Sequence, residues 1–206
     1  MKIKKIDPAR PDHSENIAFA YKKTFGGEPW NEGWKCAGCG NILPLSFSGK
    51  FCPSCASRGK TFPLAEYWPI RQIVSDLRRE MAKPGSLCLA AFEGTDVIGF
   101  AWGYKIEVNK DTDAYLEAPG LHDLANGTYF YLDETAVVPD RQGEGIGRQL
   151  VRRISLGQER NRMILRTLKG SKMFRIIEKM GGYPILDISR GRTIMTLDLL
   201  DLKTPR

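Results

Sequence analysis

Histidine is nearly missing from this 206-residue chain, which has only His13 and His122, and it contains no G-x-S-x-G segment. A serine or cysteine nucleophile activated by histidine therefore has almost nothing to be built from. Long apolar runs are lacking too. The longest are short, such as Leu87 to Phe92, against the roughly 18 residues of a membrane helix. The opening Met1-Lys2-Ile3-Lys4-Lys5 is basic with no apolar stretch behind it, so no secretory signal is expected. The expectation is a cytoplasmic protein without a membrane partner. Repeats and low-complexity segments are also absent, and with 42% hydrophobic and 27% charged residues the chain has ordinary globular composition. Its length suffices for one well-cored domain with a small appendage.

Acidic residues are few where the net positive charge lies. The formal charge is +7, yet between Arg141 and Lys179 eleven Lys/Arg face three Asp/Glu, so the remainder of the chain is close to neutral. The basicity needs a local explanation, either a solvated helix face or an anionic ligand.

Four of the five cysteines fall as Cys36-x2-Cys39 and Cys52-x2-Cys55 with 12 residues between the pairs. Two such turns supply four thiolates to a tetrahedral zinc. Paired disulfides conflict with a cytoplasmic chain, and redox C-x-x-C motifs come singly; iron–sulfur ligation is the other four-cysteine chemistry. With every position filled by thiolate, the ion is structural rather than catalytic. Lys35, Lys50, Arg58 and Lys60 largely offset the negative charge of such a centre. Asn41–Phe47 and Lys50–Phe51 are expected to form a short hairpin with Ser48-Gly49 at its tip. Cys88 lies in an apolar run and reads as a core residue.

Periodicity gives the rest of the order. Lys2–Ile6 reads as an edge strand and Pro11–Phe25 as a helix stopped by Gly26-Gly27. Pro69 opens a second helix carrying Ile70, Ile73, Val74, Leu77 and Met81. Strands at 86–93 and 96–107 turn through Gly94-Thr95, and 109–126 reads as a loop. A strand over 128–138 leads through a glycine-rich turn into a helix with Ile146, Leu150, Val151 and Ile154 on one face. A strand at 163–168, a helix at 171–180 and a strand pair at 183–188 and 193–199 close the chain. This is an α+β order with a largely antiparallel sheet, and the cysteine ribbon, residues 34–60, is an insertion between the first two helices of a domain spanning 1–206.

The most informative stretch is Val137-Val138-Pro139-Asp140-Arg141-Gln142-Gly143-Glu144-Gly145-Ile146-Gly147-Arg148. Three glycines between a strand end and a helix start let free N–H groups converge on an anion. The spacing is neither a Walker nor a Rossmann loop, and the glycines alone also fit a plain strand-to-helix turn. Gln142-x-x-Gly145-x-Gly147 after Ala136-Val137-Val138-Pro139 closely resembles the Q/R-x-x-G-x-G/A signature of the GNAT superfamily of acyl-CoA-dependent N-acetyltransferases. Glu28-Pro29-Trp30-Asn31-Glu32 resembles a segment of one GNAT subgroup. The resemblance implies a mixed, largely antiparallel twisted sheet flanked by helices, with acetyl-CoA as cosubstrate. It implies that Ala136, Val137 and Val138 meet the pantetheine arm. Arg141, Gln142, Gly143, Glu144, Gly145, Ile146, Gly147 and Arg148 would then surround the pyrophosphate, with Arg152 and Lys172 nearby. The basic segment thereby gains a small-molecule partner, and charge no longer argues for nucleic acid.

Acetyl transfer needs a neutral amine, a proton acceptor and protonation of the leaving thiolate. The resemblance implies an acidic acceptor in the strand that holds Asp133 and Glu134. Strand alternation puts the two on opposite faces, Asp133 with Thr135 and Val137; either is the candidate base, or else a strand-end ion pair or amine-binding anion. The family's helix tyrosine is replaced by Ile177 and its asparagine by Gly170, with Tyr183 as a stand-in. The expectation is direct transfer from acetyl-CoA to an amine, small or on a protein, without an acyl-enzyme, with a homodimer admitted. The competing reading is a non-catalytic acyl-CoA sensor whose ribbon contacts protein or nucleic acid. The ribbon is either an acceptor-recognition module, if its aromatics are exposed, or a staple for a long loop, if they are buried.

Overall fold

Seven strands form the main sheet of the computed structural model, which describes residues 1–158 and 162–200. In chain order the elements are β1 (Lys2–Lys5), α1 (Pro11–Phe25), β2 (Trp34–Cys36), β3 (Ile42–Leu43), α2 (Pro53–Ala56), β4 (Leu64–Glu66), α3 (Ile70–Met81), β5 (Leu87–Glu93) and β6 (Asp96–Val108). There follow α4 (Lys110–Tyr115), α5 (Leu121–Leu124), β7 (Gly127–Val137), α6 (Ile146–Leu156), β8 (Arg162–Leu168), α7 (Lys172–Lys179), β9 (Tyr183–Asp187) and β10 (Arg192–Asp198). The sheet order is β1-β5-β6-β7-β8-β10-β9, antiparallel except for the β7–β8 pair.

Each main helix forms for reasons written locally. Pro11 opens α1 with Asp12 in its first turn, both favoured at a helix N-terminus. Ser171 caps α7 by accepting from Phe174 N at 3.1 Å. The apolar stripe of α6, Ile146, Leu150, Val151 and Ile154, is fully inside, each side chain contributing about 1.5–3 kcal/mol. On this side the missing Cβ of Gly99 points at Ile146 and Leu150, so α6 covers one face of β6. Phe100 and Trp102, stacked at 5.1 Å, hold the other face beneath Tyr21 of α1.

Residues 109–126 are not the loop that their polarity suggests. Asn109 starts α4 with a capping box, its Oδ1 accepting from Asp111 N and Thr112 N while Thr112 Oγ1 accepts from Asn109 N. Leu116, Ala118 and Leu121 then close a second apolar cluster against Tyr104, Tyr131 and Ile194. The expected hairpin across Ser48-Gly49 is replaced as well. β3 pairs with β2, Trp34 with Leu43, so the turn of this hairpin is the first cysteine pair. Phe51 bridges Pro63 instead, and β4 carries the small sheet to Glu66, past the expected end at 60.

Two irregularities shape the centre of the main sheet. Trp102 pairs with Glu134 but Gly103 with Leu132, leaving Asp133 as an extra residue in β7. This bulge sits where a Cβ on Gly103 would meet the Tyr131 carbonyl oxygen at 2.2 Å and the Phe130 ring at 2.7 Å. On its other edge β7 pairs with β8 only through Phe130–Met163 and Tyr131–Ile164; beyond Tyr131 the strands diverge. Gly103→Ala is expected to destabilise the protein by about 2–3 kcal/mol through this overlap, read as a lower urea midpoint. A neutral result would mean that the bulge does not depend on the glycine.

Candidate active site and metal centre

The bulge changes where the two carboxylates point. Glu134 is the direct cross-strand partner of Trp102, and cross-strand partners share a face. The Trp102 indole N–H donates to Asp133 Oδ2 at 3.2 Å. Both carboxylates therefore address the cleft on the Trp102 side, and Asp133 does not share a face with Thr135 and Val137 as alternation predicted. An extra residue resets the period-two count.

Both groups are half-buried. Burial, then the charge of Glu80, pushes Asp133 up to about 6, against the Trp102 hydrogen bond. Burial, then the charges of Asp133 and Glu32, pushes Glu134 up to about 8, with Arg166 opposing. Glu32 is itself raised by burial while accepting from Trp68 Nε1 at 2.8 Å. Tyr21, 5.9 Å from Trp68 and 6.1 Å from Trp102, forms the aromatic floor, its phenol held protonated by burial and the neighbouring carboxylates. The result is an aromatic cleft lined by carboxylates, suited to a cation. Trp68, Tyr21 and Trp102 were not marked as site residues by the sequence pattern, and Glu32 only as part of the Glu28–Glu32 segment, because their approach to β7 is tertiary.

The glycine-rich turn starts from the diverging end of β7. A 3-10 turn, Pro139–Arg141, precedes Gly143 at φ +92° and Gly145 at φ +78°, conformations that glycine alone adopts without strain. Gly145 is the N-cap of α6 and bears no side chain to shield the first N–H groups, as an anion site requires. A Cβ on Gly147 would lie at ordinary contact distance from Ile176 and Val137, 3.5 and 3.7 Å, so the packing of α6 does not require this glycine. Arg141 is held by Glu93 and by Glu144, the latter at 2.7 and 2.8 Å, so its guanidinium braces the turn. Gln142 donates to the Val137 carbonyl at 3.0 Å and accepts from Lys172 Nζ at 2.7 Å. Arg148 is exposed beside them. Ala136 and Val138 are buried and Val137 is half-buried on the last turn of the strand.

Ile177 is fully buried in the core and contacts Gly182. Tyr183 does not replace the absent tyrosine. It is 59% exposed on β9, the edge strand, paired with Thr196.

The four cysteines come together with all Sγ atoms within 4.8 Å of one another. Cys36–Cys55 and Cys39–Cys52 are 3.8 and 3.6 Å apart. Disulfides, with sulfurs about 2.05 Å apart, do not fit; a tetrahedron with bonds of about 2.3 Å has edges of about 3.8 Å, which does. The spacing and the all-thiolate donor set suit zinc. Leu45 ties the ribbon to the domain, its side chain occupying the space a Cβ on Gly26 would need. Phe51 is 48% exposed and Phe47 half-buried, so the ribbon's aromatics divide between the two expectations.

Residues 54–166 match the model of the acetyltransferase (GNAT) family, more than half of the chain. The chain belongs to the GNAT acetyltransferase family. Among solved structures it is similar to an aminoglycoside 6'-acetyltransferase type Ii, at 13% identity over 100% of this chain and 99% of the other, TM-score 0.56. It is also similar to the ribosomal-protein-S18-alanine N-acetyltransferase from Escherichia coli, at 13% identity over 96% and 93%, TM-score 0.52. The PaiA N-acetyltransferase from Thermoplasma acidophilum, solved with coenzyme A, shares 15% over 96% and 98%, TM-score 0.52. At these identities the likeness is one of fold. No curated protein sequence matches. This GNAT domain is thus an acyl-CoA-dependent acetyltransferase at the family level, with a four-cysteine ribbon inserted between its first two long helices.

Cobalt(II) titration of the reduced protein is expected to saturate at one ion per chain with the absorption of a tetrahedral thiolate site. Cys52→Ser is expected to lose that signature. Saturation at no ion, or an octahedral spectrum, would refute the metal centre.

Proposed function

We propose that this protein is an N-acetyltransferase that moves acetyl from acetyl-CoA directly to a cationic amine, with Glu134 as the base and Asp133 as the anion that holds the incoming ammonium. The observation that carries this is the placement of both carboxylates on one face of β7, upstream of the glycine-rich helix N-terminus. Gly143 through Gly147 would bind the pyrophosphate, with Gln142, Lys172 and Arg148 around it, and Arg141 keeps the turn in shape. Ala136 to Val138 would lie along the pantetheine arm, where β7 lacks a β8 partner.

The ammonium first gives a proton to ionised Glu134. The neutral nitrogen then attacks the thioester carbonyl carbon; the C–N bond forms, the nitrogen loses its second proton to water, and the C–S bond breaks. The thiolate, of ordinary thiol acidity near 8.5, takes its proton from water, so the loss of the family tyrosine at Ile177 leaves the chemistry balanced. A base raised to about 8 is better matched to an amine than a carboxylate of ordinary acidity.

Thr135 supports the same placement of coenzyme. It pairs with Ala101 on the α6 side of the sheet, and its buried Oγ1 has no hydrogen-bond partner. A polar atom of the pantetheine arm would satisfy it. Thr135→Val is expected to raise the unfolding midpoint of the free protein and to weaken coenzyme A binding about tenfold, as an unsatisfied hydroxyl costs about 1–3 kcal/mol. Stabilisation with unchanged coenzyme affinity would place the arm elsewhere.

Thiol release from acetyl-CoA with a panel of amines tests the activity. Glu134→Gln should lower kcat/KM by about 10²–10⁴. Asp133→Asn should raise KM for the amine and move the limb of the pH–rate profile down from near 8, because one repelling charge is gone. The same group costs stability. Its folded pKa lies above the model value of 4.5, so stability is full below 4.5 and is lost as pH rises through about 8. Glu134→Gln should therefore raise Tm more at pH 9 than at pH 5. No turnover with any amine, while coenzyme A binds, would favour an acyl-CoA sensor instead.

A further inference from the structure

The ribbon rises from the rim of the carboxylate cleft on two stalks. Its first strand begins at Trp34, just after Glu32, and its last ends at Glu66, just before Trp68. Those two rim residues are joined by the hydrogen bond from Trp68 Nε1 to Glu32. Tyr67 N donates to Gly33 O at 3.0 Å, Leu45 N to Gly26 O at 2.6 Å, and Lys22 pairs with Glu66 at 2.8 Å. The ribbon is fixed beside the cleft by these contacts.

Its charge is opposite to that of the cleft. No Asp or Glu occurs between Glu32 and Glu66, while Lys35, Lys50, Arg58 and Lys60 do. All four are exposed, and among the described residues none enters an ion pair; Lys35 lies over the Tyr67 ring. A tetrathiolate zinc would leave the ribbon net positive. Arg58 also borders an open groove of about 610 Å³ with Asn41, Ile42 and Ser54, and Phe51 is exposed in the same ribbon.

We propose that the ribbon selects the acceptor: a polypeptide whose reactive amine is followed or preceded by acidic residues. The amine enters the carboxylate cleft while the acidic residues lie against Lys50, Arg58 and Lys60. Charge complementarity favours this occupant over RNA. A phosphate backbone would be repelled by Asp133, Glu134 and Glu32, and nucleobases offer no basic aliphatic amine, whereas an acidic peptide carries both signs in one chain. The proposal rests on the acetyltransferase reading of the cleft.

The test uses the full-length, zinc-loaded protein and its K50E/R58E/K60E variant. The probes are peptides of equal length with one lysine flanked by acidic, neutral or basic residues, and a small monoamine. The wild type is expected to show about tenfold higher kcat/KM for the acidic peptide than for the basic one at low salt, fading as salt rises. The variant is expected to lose that preference while acetylating the monoamine normally. Equal rates for the three peptides, or a preference that survives in the folded variant, would overturn the proposal. So would a short single-stranded RNA that binds the ribbon while the peptides are not distinguished. Fluorescence anisotropy of the labelled peptides makes the same comparison without turnover. A protein inert toward all amines that still binds the acidic peptide through the three cations would fail as an enzyme but keep the ribbon's specificity.

Discussion

Gly103 lies so close to β7 that a Cβ there would meet the Tyr131 carbonyl oxygen at 2.2 Å, and opposite it β7 carries one residue more than β6 pairs. That local misfit turns Asp133 onto the same side as Glu134. Without it, strand alternation would leave one carboxylate in the cleft and send the other toward α6, into apolar packing where a charge is costly. The raised pKa values follow from the same placement: burial comes first for both groups, with the charge of Glu80 adding for Asp133 and the charges of Asp133 and Glu32 adding for Glu134. The protein carries the cost of this repulsion in its free state, and a bound cation would relieve it.

The two edges of β7 divide the work. Along one, continuous pairing with β6 fixes the carboxylates against Trp102. Along the other, pairing with β8 stops after Tyr131, and at the end of the strand the Val137 carbonyl accepts from Gln142 of the turn instead. Positive φ at Gly143 and Gly145 then lets the helix N-terminus face outward without side chains over it. Charge follows the same division: acidic in the cleft, basic around the loop, and basic again on the ribbon. The loop's own Arg141 is neutralised by Glu93 and Glu144, so its contribution is shape rather than free charge.

Much of this was legible in the sequence because it is local. Pro11 and Gly26 bound α1, Ser171 caps α7, the apolar stripe marks α6, and the paired C-x-x-C turns and glycine spacing announce their sites directly. What escaped depends on contacts between distant segments. The bulge at Asp133 needs Gly103, thirty residues earlier, to be seen opposite it. The helices at 110–115 and 121–124 are too short for periodicity, and their start is set by the Asn109 side chain. The pairing of β2 with β3 wins over a hairpin at Ser48-Gly49 because the first cysteine pair already supplies the turn. Tyr183 closely follows α7 in sequence but sits on β9, the far edge strand. Glu32 and Trp68 stand 36 residues apart and meet only because the ribbon closes on itself.

The coupling of the two carboxylates on β7 is open to direct measurement. A carbon-13 NMR titration of the glutamate carboxyls, with Glu134→Gln to assign the signal, tests it most directly. Glu134 is expected to titrate near 8 in the free protein and to shift to lower pH when a cationic amine binds. A Glu134 carboxyl that titrates near its ordinary value of 4.5, with no response to an amine, would contradict it.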